Sequence, residues 1–261
     1  MKILGLTLCL GCSNFYLFIK SERIELAIHE RYIACILSLA SAGGISCLSL
    51  SGLGIPISEI FLASIFLPFI FFSAFRALNI GGILYHNKYS FTSSFSVKIG
   101  FQNLVINYLF AASKMIINKS VIIVLYDFFK NMLCGMNYVW DRLTYLPLFV
   151  LKNAGFTATQ SEAIATAWVT KIFVNREVAL IDLVNNGIYN DIELFERILV
   201  LTLFLNIASF PAIIIIGLNI FSFFGKNGWK YISALPFAFA IVNLISLLPL
   251  IIIFLIKYSF Y

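Results

Sequence analysis

Residues 157–183 read TATQSEAIATAWVTKIFVNREVALIDL, and this stretch decides how the rest of the chain is interpreted. It is moderately apolar, yet it contains several ionisable or strongly polar side chains: Glu162, Lys171, Asn175, Arg176, Glu177 and Asp182. Ionisable residues at membrane depth are costly, and they usually face a bundle interior or a water-filled cavity. A hairpin or broken helix with polar groups at its break is typical of a transporter substrate site. The alternative is that the stretch lies at the membrane interface, where water solvates the charges.

The composition shows which environment surrounds this stretch. Of the 261 residues, 61% are hydrophobic and only 11% are charged, whereas a soluble domain is about 45–50% apolar and about 25% charged. This excludes a soluble enzyme, a nucleic-acid binder and a disordered protein, and it predicts an all-α polytopic membrane protein in the lipid bilayer. The net charge of +6 comes from Lys and Arg between apolar runs. Such residues follow the positive-inside bias, so no nucleic-acid partner is expected.

The apolar runs predict one membrane domain over residues 1–261, because about 20 apolar residues are needed to cross a bilayer. Two re-entrant helical hairpins are expected at about 3–31 and 157–183, and an interfacial amphipathic helix at about 118–156. Four to five full spans are expected among the ranges of about 32–53, 57–75, 97–117, 195–222 and 231–256. Residues 1–19 have two interpretations: they form a hairpin arm, or they are a cleaved signal peptide.

Two further groups of polar residues interrupt apolar sequence. Cys12, Ser13 and Asn14 lie at the centre of the first apolar arm, where they form either the tip of a re-entrant loop or polar positions in an ordinary span. Asn206 and Ser209 are spaced i, i+3 and so would share one face of a helix. They would contact a substrate or hold helices together.

The sequence shows no catalytic constellation. The two histidines, His29 and His86, lie in polar linkers, and no metalloprotease, nucleophile-elbow or phosphate-loop motif is present. We therefore expect a protein that is not an enzyme and has no cofactor. Whether it binds a metal ion stays open.

Several motifs follow one another in a recognisable order. Leu10-Gly11-Cys12-Ser13-Asn14 falls on the pattern L-G-Q-T-E, and Glu30 falls on the glutamate of a following S-E-L. Val169–Leu183 is similar to G-T-K-L-V-L-N-E-F-V-A-Y-L-D-L, and Ile207–Ala212 falls on F-A-N-F-S-S. These are patterns of the C-terminal transport domain of concentrative nucleoside transporters, the NupC family. The chain resembles that domain from about position 8 to 256, without the family's N-terminal spans.

The departures from these patterns fall on the residues that bind nucleoside in the family. The glutamine, threonine and glutamate of the first hairpin become Cys12, Ser13 and Asn14. Arg176 stands at the second-hairpin glutamate, Glu177 comes one place later, and Ser209 replaces the asparagine of F-A-N-F. One position rotates a helical side chain by about 100°, so Glu177 replaces the lost acid only where the helix is unwound.

The resemblance implies a secondary transporter, a symporter of nucleosides coupled to Na⁺ or H⁺. It also implies a multi-pass protein of the plasma (inner) membrane that forms a homotrimer. The expected substrate-binding residues come from three parts of the chain: Cys12, Ser13, Asn14, Asn175, Glu177 and Ser209. The alternative is a non-transporting remnant, or one subunit of a split transporter whose N-terminal spans form a separate polypeptide.

Overall fold

A computed structural model of the chain describes Tyr16, Ile19, Leu26 and residues 28–40, 50–80 and 137–259. These residues are helical or lie in short connections, with no strand among them, which confirms the all-α class for this part of the chain. The chain divides into two compact units, residues 1–75 with 137–261 and residues 76–136. Of the second unit only residues 76–80, which end one helix, are described.

The described residues form ten α-helices, which from residue 137 onward are joined by short connections. They are α1 Ile28–Ala40, α2 Ile57–Ile80, α3 Asn137–Asn153, α4 Ala158–Phe173, α5 Arg176–Asn185, α6 Leu194–Leu205, α7 Phe210–Phe224, α8 Trp229–Ile232, α9 Leu235–Ile245 and α10 Leu248–Ser259. A short 3₁₀ helix, Gly225–Gly228, connects α7 to α8.

Several expected segments can be compared with these helices. The expected hairpin at 157–183 contains α4 and α5, and α3 lies inside the expected interfacial helix. The range 195–222 was expected to be one span, but it holds two helices, α6 and α7. Pro211 explains this difference, because a proline in the first turn of a helix favours a new start over continuation. Most of the expected hairpin at 3–31, the expected span at 97–117 and residues 118–136 lie outside the described residues.

In the part of the chain that the structure describes, two helical stretches are long and apolar enough to cross a membrane. Phe210–Ile232 has 23 residues and Leu235–Ile256 has 22, and about 20 suffice for the hydrocarbon core. Only 17% of the first apolar window and 35% of the second are buried. The core helix of a soluble protein would be mostly buried, so this exposure favours lipid-facing helices.

The described helices pack around two hydrophobic cores. The first core combines buried residues of α3, α4, α5 and α6, such as Trp168 and Phe204. The second combines α1, α7, α8 and α9, together with Tyr16, Ile19 and Leu26. Leu205 belongs to the first core and Ala208 to the second, so the chain passes from one core to the other between α6 and α7. Phe239 packs against both cores.

Local sequence determines where α4 and α5 begin. Thr157 caps α4 and forms a capping box with Gln160, which satisfies two otherwise unpaired backbone N–H groups. Helix α4 ends at Phe173, and only Val174 and Asn175 separate it from α5. Asn175 then caps α5 by accepting a hydrogen bond from the backbone N–H of Val178. The two helices pack against each other across this two-residue connection.

A buried ionic cluster holds the loop after α5 against the start of α2. Glu59 is 4% exposed, and its carboxylate accepts a hydrogen bond from the Tyr189 hydroxyl at 2.5 Å and forms an ion pair with Arg197 at 3.0 Å. The Arg197 guanidinium also lies 5.3 Å from the centre of the Tyr189 ring. Burial, and then the Glu59 carboxylate, raise the pKa of Tyr189 well above its usual range, so the hydroxyl remains a donor.

Tyr189→Phe keeps the ring beside Arg197 but removes the hydroxyl. We expect the free energy of unfolding to fall by about 1–3 kcal/mol, because a buried carboxylate loses one donor. This corresponds to roughly 2–10 °C in melting temperature for a chain of this size. The measurement is thermal unfolding of the purified protein in detergent. Tyr145→Phe is the matched control because Tyr145 is 67% exposed. Equal melting temperatures for the two variants would contradict the role of the Tyr189 hydroxyl.

Candidate functional site

The structure brings the α4–α5 connection against the break between α6 and α7. The Arg176 guanidinium donates a hydrogen bond of 2.5 Å to the carbonyl oxygen of Leu205, the last residue of α6. The Phe173 and Phe210 rings lie 5.3 Å apart between the same two places. Two of the three segments expected to converge therefore do so. The third, containing Cys12, Ser13 and Asn14, lies outside the described residues.

Lys171 is the central side chain of this junction. It is 1% exposed, and its Nζ atom donates to Oδ1 of Asn206 at 2.5 Å and to Oδ1 of Asn243 at 2.7 Å. Asn206 follows α6 and Asn243 belongs to α9, so one ammonium group connects three parts of the chain. Hydrogen bonds of a charged donor are about twice as strong as neutral ones.

Some ionisable residues of 157–183 are buried, as the substrate-site interpretation expects, and others are exposed, as the interfacial interpretation expects. Lys171 and Arg176 are buried, at 1% and 5% exposure. The interpretation that water at an interface solvates the charges is therefore wrong for these two residues. Glu162 and Asp182 are exposed, as the interfacial interpretation expects. Each of the two helices therefore buries one basic side chain, Lys171 in α4 and Arg176 in α5, and exposes one acid.

The break between α6 and α7 is extended, and its polar groups are paired inside the protein. The backbone N–H of Ile207 donates to the carbonyl of Leu39 in α1 at 2.9 Å. The N–H of Ala208 donates to Oδ1 of Asn206, and its carbonyl accepts from Nδ2 of Asn243. Buried backbone groups left unpaired would each cost free energy comparable to a lost hydrogen bond. The side chains of Asn206 and Asn243 therefore stabilise the unwound segment by hydrogen bonding to its backbone. A regular helix would not need these side-chain hydrogen bonds.

Asn206 and Ser209 do not share a helical face. Asn206 has φ −68° and ψ 149°, and Ser209 has φ −125° and ψ 157°, so both residues are extended. The i, i+3 argument from the sequence is wrong here because it assumes a continuous helix. The Ser209 hydroxyl instead caps α7 by accepting from the N–H of Ala212 at 3.3 Å.

The expected site residues in the described part of the chain have local partners. Asn175 and Ser209 cap the first turns of α5 and α7. Glu177, in the first turn of α5, pairs with Arg176 at 3.4 Å, and its side chain is 22% exposed. Two helices thus begin at the junction, and each presents the positive end of its dipole there.

The sequence analysis did not predict that Lys171, Asn206 and Asn243 form one hydrogen-bond network. Each is a polar residue inside an apolar run, which is the available signal for such a role, but their sequence positions do not reveal that they meet. Within the described ranges, no group of three or more His, Cys, Asp or Glu side chains is arranged to hold a metal ion. The described side chains at the junction offer hydrogen bonding, the charges of Arg176 and Glu177, and aromatic contact.

Comparison with known proteins gives no relative from which a function could be transferred. No protein-family model, curated protein or solved structure matches the chain significantly. The function must be argued from the junction itself.

Asn243→Leu should destabilise the protein because it removes an acceptor from Lys171 and leaves the Ala208 carbonyl without its side-chain donor. We expect the free energy of unfolding to fall by about 3 kcal/mol, which is the upper part of the range for leaving a buried polar group unsatisfied. Asn219→Leu, at a partly exposed position of α7, serves as the control and should change stability by less than about 1 kcal/mol. Thermal unfolding measures both variants. An Asn243→Leu variant as stable as the wild type would show that the network contributes nothing.

Proposed function

We propose that the chain is an ion-coupled secondary transporter, a symporter of nucleosides, with its substrate at the junction between the α4–α5 connection and the α6–α7 break. The observation that carries this proposal is the contact of Arg176 and Lys171 with the break at Leu205 and Asn206. Transporter sites are typically formed by discontinuous helices whose half-helix ends face the substrate. Irregular backbone at membrane depth is tolerated where protein buries it or where it lines a cavity.

Two features of the junction suit a nucleoside. The Phe210 side chain is 45% exposed, and its ring lies 5.3 Å from Phe173 and 4.9 Å from Phe239. Exposed aromatic rings offer a face on which a nucleobase stacks, whichever base it is. Glu177 is a partly exposed carboxylate beside the connection and could accept hydrogen bonds from ribose hydroxyls.

The proposal includes the wider assembly that the sequence resemblance implies. The α4–α5 pair would be a re-entrant hairpin, and the protein would be a multi-pass homotrimer in the plasma (inner) membrane. The coupling ion would be Na⁺ or H⁺. The two apolar stretches Phe210–Ile232 and Leu235–Ile256 support membrane insertion, and the short connection at Val174 and Asn175 supports a hairpin.

A specific observation favours a second candidate, a non-transporting remnant or a subunit of a split transporter. The polar atoms expected to bind substrate at Asn175 and Ser209 act as helix caps, and Glu177 pairs with Arg176. A site whose polar groups are already paired gains less from binding a substrate.

The first test of the proposal is thermal stabilisation by uridine and adenosine, measured with and without sodium. A ligand that binds only the folded state raises the melting temperature by mass action. Uptake of radiolabelled uridine into proteoliposomes follows. Folded protein that neither shifts nor takes up any nucleoside would contradict the transporter and support the second candidate. Uptake restored only by adding a second polypeptide that carries N-terminal spans of a nucleoside transporter would identify a split transporter.

Asn175→Ser separates substrate binding from helix capping, because serine caps a helix about as well as asparagine but has no amide. We expect an unchanged melting temperature and a loss of uridine uptake of about tenfold or more, the value of one hydrogen bond to a polar substrate. Thr157→Ala is the matched control: it removes the cap of α4, costs about 1 kcal/mol, and should leave uptake per folded molecule unchanged. Normal uptake by Asn175→Ser would remove Asn175 from the site.

A further inference from the structure

Basic side chains from two distant segments meet around Tyr231 in α8. The Arg31 guanidinium, from α1, lies 5.5 Å from the centre of the Tyr231 ring, and the Lys230 Nζ atom lies 5.5 Å from the same centre. Tyr231 is only 1% exposed, and attraction between a cation and an aromatic ring holds both head groups against this buried surface. Lys226 lies four residues before Lys230, in the 3₁₀ helix. We call Arg31, Lys226 and Lys230 the basic cluster.

The basic cluster lies at the adjoining ends of the two candidate membrane spans. Tyr231 is the last residue but one of Phe210–Ile232, and a connection of two residues leads to Leu235–Ile256. The end of a span lies at the level of the lipid head groups. Trp229 is 62% exposed at this place, and tryptophan is enriched at that level of a membrane. The cluster is therefore placed where it would meet head groups.

No acid among the described residues pairs with the basic cluster. Of the ion pairs between described residues, none involves Arg31, Lys226 or Lys230. Residues 197–261, which contain both lysines, include no Asp or Glu. Lys226 is exposed, and Arg31 and Lys230 are partly exposed, so all three reach the surroundings of the protein, where Lys and Arg are protonated at neutral pH. The cluster thus brings positive charge to the membrane surface.

We propose that the basic cluster and Trp229 bind the phosphate of an anionic phospholipid. Basic pockets between membrane helices are known to bind phospholipid head groups. Lys and Arg donate charge-assisted hydrogen bonds to phosphate oxygens, and the exposed Trp229 indole adds an N–H donor and an apolar face. A zwitterionic phospholipid fits less well, because the cluster repels its cationic group. The inference goes beyond the transport proposal, since it requires only that the two spans lie in a bilayer.

Trp229 provides a direct test, because bromine in a lipid acyl chain quenches the fluorescence of a tryptophan that it contacts. The full chain is reconstituted into mixtures of phosphatidylglycerol and phosphatidylcholine, with one lipid or the other brominated. Subtracting the signal of Trp229→Phe removes the contributions of Trp140 and Trp168. We expect phosphatidylglycerol to be favoured at Trp229 by about tenfold or more, since each Lys or Arg at an anionic surface contributes about fivefold.

Two variants test the charges of the basic cluster. Lys226→Gln and Lys230→Gln should each lower the preference for phosphatidylglycerol about fivefold. Lys152→Gln is the matched control, because it removes an exposed lysine from α3, a helix of the first core, and should leave the preference unchanged. Melting temperatures in detergent show that each variant is folded, and Lys226 is exposed, so its variant should fold normally. Equal quenching by both lipids in the wild type, or equal preferences in all three variants, would overturn the proposal.

A free phosphate ion is the other source of the same chemistry. Inorganic phosphate is therefore added on both sides of the membrane and compared with sodium chloride at the same ionic strength. We expect the two salts to lower the lipid preference equally, through screening alone. A preference that inorganic phosphate abolishes and sodium chloride does not would assign the basic cluster to free phosphate and overturn the lipid proposal.

Discussion

The hydrogen bonds from the buried Lys171 side chain to Asn206 and Asn243 connect three parts of the structure that are distant in the sequence. They join α4, the α6–α7 break and α9 at one point. The two hydrophobic cores meet at this break, and apolar contact alone does not specify one alignment of the cores over another. These hydrogen bonds do, because a shift that separates the buried nitrogen from its acceptors leaves buried polar groups unpaired, at a cost of about 1–3 kcal/mol for each group.

The same constraint explains the side chains around the break. A buried unwound segment must satisfy its backbone groups within the protein, because each group left unpaired costs free energy comparable to a lost hydrogen bond. Asn206 and Asn243 provide amide donors and acceptors, Arg176 covers the end of α6, and Ser209 begins α7. The expected substrate residues and the groups that stabilise the break are thus neighbours. The proposed transporter and the proposed remnant differ in whether these already paired groups also bind a substrate.

Much of the local structure could be predicted from the sequence. Composition and the lengths of the apolar runs predict an all-α membrane protein, since only helices and closed barrels satisfy their backbone in lipid. The capping box at Thr157 and Gln160 and the Ser209–Pro211 helix start follow known local sequence patterns, but the sequence analysis did not identify either as a helix start. The polar residues of 157–183 correctly marked an unusual segment, because charges within apolar sequence need a reason.

Only the tertiary structure decided which of those charges are buried and what they bind. Lys171 and Asp182 are both ionisable residues of the same stretch, yet one is buried and the other is exposed. The burial of Lys171 depends on Asn243, which lies 72 residues further along the chain. Sequence periodicity reports the face of a helix on which a residue lies. It does not report the partner that a distant segment brings to that face, and the free energy of a buried charge depends on that partner.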